Sequence, residues 1–76
     1  MNKFFLVQIK ANKDGIFEKG VVVKDTLDDA RQSYHAYLGA YGYGHDATID
    51  YVQCMVIDIN GMVRDSIVDN RIPVQE

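Results

Sequence analysis

The chain has 76 residues, 47% of them hydrophobic, 25% charged and one a proline; eight Lys and Arg against eleven Asp and Glu leave a net charge of −3. So apolar a composition excludes a disordered or proline-rich tail, and so short a chain has no room for a second core, so residues 1–76 read as a single domain. Nucleic-acid binding calls for a basic patch that displaces counterions, and the scattered lysines of this acidic chain do not supply one.

At the N-terminus, the apolar run from Phe4 to Val7 is too short for the apolar region of a signal sequence, and Lys10 follows soon after. Phe5, Val7 and Ile9 alternate with Gln8 and Lys10, the period of a half-buried strand over about 3–11. Asn12-Lys13-Asp14-Gly15 is turn chemistry, and a second strand over 16–24 returns with Phe17, Val21 and Val23 on one face and Gly20 as a candidate bulge. Thr26 is placed to cap a helix, with Asp28 and Asp29 at the positive end of its dipole. Leu27, Ala30, Tyr34, Tyr37, Leu38 and Tyr41 then recur at steps of three and four, which predicts a helix over about 27–41. Gly39 or Gly42 is expected to end it in the left-handed capping conformation.

A third strand, rich in Val, Ile and Tyr, is predicted over 49–59. Asn60-Gly61 favours a two-residue turn with both central residues left-handed, returning a polar fourth strand over 62–69 that suits a sheet edge. Residues 70–76, with Pro73, read as a fraying tail. The fold class is α+β in the order β-β-α-β-β: a four-stranded antiparallel sheet with one helix packed on one face.

One helix covers one side of a sheet, yet the strands are apolar on both. Phe4 and Leu6 point opposite to Phe5 and Val7, and Tyr51, Met55 and Ile57 opposite to Val52, Cys54 and Val56. Phe4, Leu6, Tyr51, Met55 and Ile57 are therefore the expected interface of a homo-oligomer, most simply a dimer joined sheet to sheet.

The most unusual segment is Ala40 to Asp46. Tyr41, Tyr43, Gly44, His45 and Asp46 are the candidate ligand or partner contacts, because glycines let a ligand approach the backbone and tyrosines stack on it. The same residues also read as a helix end with local packing. His45 beside Asp46 has the composition of a base and its orienting carboxylate, but no nucleophile stands at a recognisable spacing, so no catalytic residue is assigned. Two histidines, one cysteine and scattered aspartates show no paired metal-ligand spacing, so neither metal nor cofactor is expected. Cys54 has no partner for an internal disulfide, which suits a reducing compartment, and the cytoplasm is the expected location. No run of the sequence approaches the ~20 apolar residues of a membrane span.

The run from Asp25 to Val63, with its DTLDDA helix start, YHAYLGAYGYG helix end and DYVQCMVIDINGM hairpin, resembles short uncharacterised proteins from phages and mobile elements of gut Firmicutes. The resembling residues are structural and carry over no functional roles. What the resemblance implies is a setting in which small proteins act by occupying a host defence protein, a regulator or a signalling nucleotide. The expectation is a non-enzymatic oligomeric binding protein that blocks a host factor. The alternatives are a nucleotide-type ligand held at a subunit junction and, third, a small hydrolase using His45 and Asp46.

Overall fold

The computed structural model describes residues 3–72; Pro73 and the part of the expected tail that follows it lie outside them. Strand β1 (Phe4–Asn12) and strand β2 (Phe17–Lys24) form the first hairpin, helix α1 (Leu27–Tyr41) crosses the sheet, and strands β3 (Ile49–Asp58) and β4 (Val63–Asn70) form the second. The four strands make one antiparallel sheet in the order β2-β1-β3-β4. The α+β architecture is the one the sequence calls for, and the polar β4 is indeed an edge. Asn70 still belongs to β4, and the Arg71 amide donates to the Asp50 carbonyl at 2.7 Å, so the ordered chain runs past the expected end of that strand.

The two hairpins use one device. In the first, the Asn12 side-chain oxygen accepts from the Asp14 and Ile16 amides, the Gly15 amide donates to the Asn12 carbonyl, and Gly15 has φ +79°. In the second, Asp58 Oδ1 accepts from the Asn60 and Met62 amides, the Gly61 amide donates to the Asp58 carbonyl, and Gly61 has φ +82°. Each loop is thus a side-chain-braced turn closed by a left-handed glycine. The expected two-residue turn at Asn60-Gly61 is corrected accordingly, because Asn60 does not take a positive φ. Gly20 is no bulge either: its pairing with Gln8 is in register, and the slips fall between Ala11 and Asn12 and between Val56 and Ile57.

Hydrogen bonds from the Met62 and Asn60 amides, together with Arg64, hold the Asp58 carboxyl below its ordinary pKa of 3.8. A lowered folded-state pKa adds stability above the unfolded value and loses it as pH falls through the folded one. Thermal melts should therefore show the second hairpin losing support below about pH 4. Asp58→Asn keeps the accepting oxygen, as Asn12 does, and should flatten that acid dependence. Asp58→Ala, which removes the acceptor of both amides, should lower the melting temperature at neutral pH.

The helix starts at Thr26, whose hydroxyl accepts from the Asp29 amide at 3.1 Å. Ala30, Tyr34 and Leu38 are its buried stripe, flanked by Leu27, Tyr37 and Tyr41. They pack on Leu6 of β1 and on Val52, Cys54 and Val56 of β3, with Val22 and Ile67 at the sides. No helix among the described residues is long and apolar enough to cross a membrane.

Candidate functional site

The segment after the helix is held firmly, by bonds that consume its chemistry. The Tyr43 amide donates to Asp69 Oδ2 at 2.7 Å, and the His45 amide returns to the Gly42 carbonyl at 2.9 Å. Tyr43 (φ +54°) and Gly44 (φ +78°) are both left-handed between them, so the turn expected at Asn60-Gly61 occurs here instead. Gly42 caps the helix with φ −83° and ψ 169°, not the left-handed conformation expected of it. Asp46 Oδ1 accepts from both the amide and the hydroxyl of Thr48, which holds its carboxyl below the usual pKa. That carboxylate braces its own turn, while the His45 side chain is exposed.

The candidate residues consequently separate. Tyr43 is exposed, and Gly44 lies against the Arg71 guanidinium. Tyr41 and Asp46 instead face a shallow cleft of about 250 Å³ between the helix end and β2, with Lys10, Asn12, Glu18 and Thr48. The Lys10 ammonium sits 3.8 Å from the centre of the Tyr41 ring and 3.4 Å from Glu18 Oε2. A neighbouring hollow of about 140 Å³ adds Tyr37, Gln8 and Gly20. Burial, aided by the nearby Cys54, pushes the Tyr37 hydroxyl up to about 12, so it stays protonated near neutral pH. Lys10 and Glu18 were not singled out as site residues from sequence. Their meeting depends on the helix leaving β2 partly uncovered, which no local pattern encodes.

Cys54 is fully buried, and burial pushes its thiol up to about 11, so it carries little thiolate at neutral pH. Among the described residues, no three His, Cys, Asp or Glu side chains come together as a metal centre needs.

The largest feature is the sheet face that the helix does not cover. Strand register puts Phe5, Val7 and Ile9 of β1 beside Val23, Val21 and Lys19 of β2, and beside Ile57, Met55 and Gln53 of β3. Val63, Ser66 and Val68 extend the face on β4. Near one end the rings of Phe17 and Tyr51 approach to 5.5 Å across Ala11, and the Tyr51 hydroxyl donates to Gln53. Tyr51, Met55 and Ile57 lie here, on the face assigned to them. Phe4 and Leu6 do not, and their assignment to an oligomer interface is corrected: Leu6 pairs with Val22 and Val56 under the helix at 0% exposure, and Phe4 packs against that same core. Phe5, Val7 and Ile9 are the β1 residues on the uncovered face.

Charge sorts the two faces in an unexpected direction. At the paired positions, the helix side carries Lys10, Glu18, Lys24, Asp58, Asp65 and Asp69, whereas the uncovered side carries only Lys19. Val21 is 62% exposed there, and Phe17, Val23, Val63 and Val68 are all at least half exposed. Compared with known proteins, the chain matches no family model, no curated protein and no solved structure.

Proposed function

We propose that the protein is a non-enzymatic, homo-oligomeric binding protein that acts by occupying a partner, and that two copies close the bare sheet face against each other. The observation that carries this reading is that face, with one charge among its paired positions. Four strands about 4.8 Å apart and about nine residues long span on the order of 500 Å² in projection. Side-chain relief brings that area toward the ~800 Å² per partner of a stable interface. Left in water, so continuous an apolar surface is an aggregation hazard.

The resemblance to phage and mobile-element proteins supplies the class of target, a host defence or regulatory protein in the cytoplasm. The non-enzymatic reading is supported by an Asp46 spent on Thr48, an exposed His45 and a sealed Cys54. Light scattering is expected to find no free 8.6 kDa chain at micromolar concentration. Met55→Lys, which puts a charge in the middle of the face, should remove the face-to-face contact while circular dichroism stays unchanged. A wild-type chain that remains monomeric at high concentration would overturn the reading. An affinity capture from host lysate that recovers no stoichiometric partner would remove its occupancy half.

A second reading, a small nucleotide-type ligand, is favoured by the cleft where Lys10, Tyr41 and Asp46 meet. It ranks lower because about 250 Å³ falls short of the ~300–1,000 Å³ of ordinary ligand pockets. If no nucleotide in a thermal-shift panel raises the melting temperature, this reading loses its support.

A further inference from the structure

Both β2 and β4 are edge strands, and they are protected very differently. Each carries three charged residues, Arg64, Asp65 and Asp69 on β4 and Glu18, Lys19 and Lys24 on β2, but only β4 has a register slip, opposite Val56 and Ile57. A slip of this kind discourages the addition of another strand. β2 runs in unbroken register from Phe17 to Lys24, has neither proline nor bulge, and contains Val21-Val22-Val23, residues that favour strands.

The hairpin fixes which peptide groups of β2 are spent. The Asn12 amide donates to the Ile16 carbonyl, and bonded and non-bonded pairs alternate along an antiparallel ladder. Glu18, Gly20, Val22 and Lys24 therefore direct their peptide groups to β1. Phe17, Lys19, Val21 and Val23 direct theirs outward, a ladder left unfilled among the described residues.

We propose that this edge receives the same strand from a second copy, antiparallel, about a two-fold axis at Val21. For side chains to stay on matching faces, odd positions must pair with odd and even with even. Registers centred on Gly20, Val21 or Val22 all meet that condition. The Val21 register alone sets Glu18 opposite Lys24 of the other copy, and does so twice by symmetry. Centring on Gly20 puts Glu18 against Val22 and Lys24 against Ile16; centring on Val22 puts Glu18 against Thr26 and Lys24 against Gly20. The Glu18 side chain, 68% exposed beside Lys10, is free to reach a second cation. Around Val21 the valines meet each other, Lys19 meets Val23, and no like charges are opposed. This axis stands perpendicular to the sheet, whereas face-to-face closure uses an axis parallel to the sheet, midway between the two copies. The two contacts do not compete, and where the two axes intersect they close a four-copy D2 assembly. The edge proposal does not depend on the face being closed.

Native mass spectrometry and light scattering on the full chain test it. Val21→Pro removes an amide that points outward, so it spares the β1 ladder while blocking the edge. Glu18→Lys sets lysine against lysine, Lys24→Glu sets glutamate against glutamate, and each should weaken edge association by roughly tenfold or more. The double exchange Glu18→Lys with Lys24→Glu should restore it. Four copies in the wild type falling to two in Val21→Pro would support both contacts. Two copies falling to one would support the edge and remove the face contact. Two copies indifferent to every variant would overturn the edge alone, and a monomeric wild type would overturn both. Single reversals not rescued by the double exchange would overturn the Val21 register, and the proposal with it.

Discussion

Leu6→Ala should destabilise the fold by about 2–5 kcal/mol, the range for emptying a buried leucine site. Leu6 is fully buried, in a central strand, between Val22 and Val56 and beneath the helix. A domain of this size holds only about 4–11 kcal/mol in all, so this one truncation threatens folding at 37 °C. Its neighbour Val7 makes the informative control. It points to the opposite face, between Val21 and Met55, where the helix offers no cover. In a closed dimer Val7→Ala should cost about 1.5 kcal/mol, from two buried methyl groups per chain. On a face open to water the cost should shrink to a few tenths, as at an ordinary surface position. Urea titrations at low and high protein concentration read both values, because a dimer's stability rises with concentration and a monomer's does not. A concentration-independent midpoint with a negligible Val7→Ala effect would remove the closed face.

That pair of residues also marks where the sequence was legible and where it was not. The elements were legible because their signals are local: Thr26 and Asp29 at the helix start, the stripe from Ala30 to Leu38, and the turn residues Asn12 to Gly15 and Asn60-Gly61 at the two hairpins, though not the form of the second turn. The direction in which β1 presents its side chains was not. Gln8 and Lys10 mark the even positions as polar, and ordinary alternation would turn them toward water. The fold does the reverse, hiding Leu6 under the helix and setting Lys10 over Tyr41 at the groove where the helix ends. When both faces of a strand are apolar, alternation cannot say which faces the helix; only pairing with β3 decides it. The candidate site was legible as an unusual segment and illegible as chemistry. Its tyrosines and glycines signalled a special backbone, but the partners of that backbone, Asp69 and Thr48, lie 26 and 2 residues from the groups they bind.

Gly42→Ala should be the costliest change in that segment, for a reason unrelated to φ. At φ −83° and ψ 169° the backbone accepts any residue. Space is what is missing: a Cβ at Gly42 would stand 2.9 Å from the Leu38 carbonyl oxygen and 3.3 Å from Leu38 Cδ2. That oxygen already accepts the Gly42 amide at 2.8 Å, and Leu38 is part of the core, so neither atom yields without loosening the end of the helix. An overpacked contact of this kind costs about 1–3 kcal/mol. For a domain this small each kcal/mol lowers the melting temperature by about 4–8 °C. Gly44→Ala makes the comparison, since its penalty is conformational (φ +78°) and the atom its Cβ would meet is the mobile end of Arg71. It should cost about 1 kcal/mol. Because Gly42 sets the position from which the Tyr43 amide reaches Asp69, Gly42→Ala should also speed hydrogen exchange at that amide, and Gly44→Ala should do so less. If Gly44→Ala proves the more damaging of the two, the segment is held by its left-handed turn, and the tight helix end matters less than the contact distances imply.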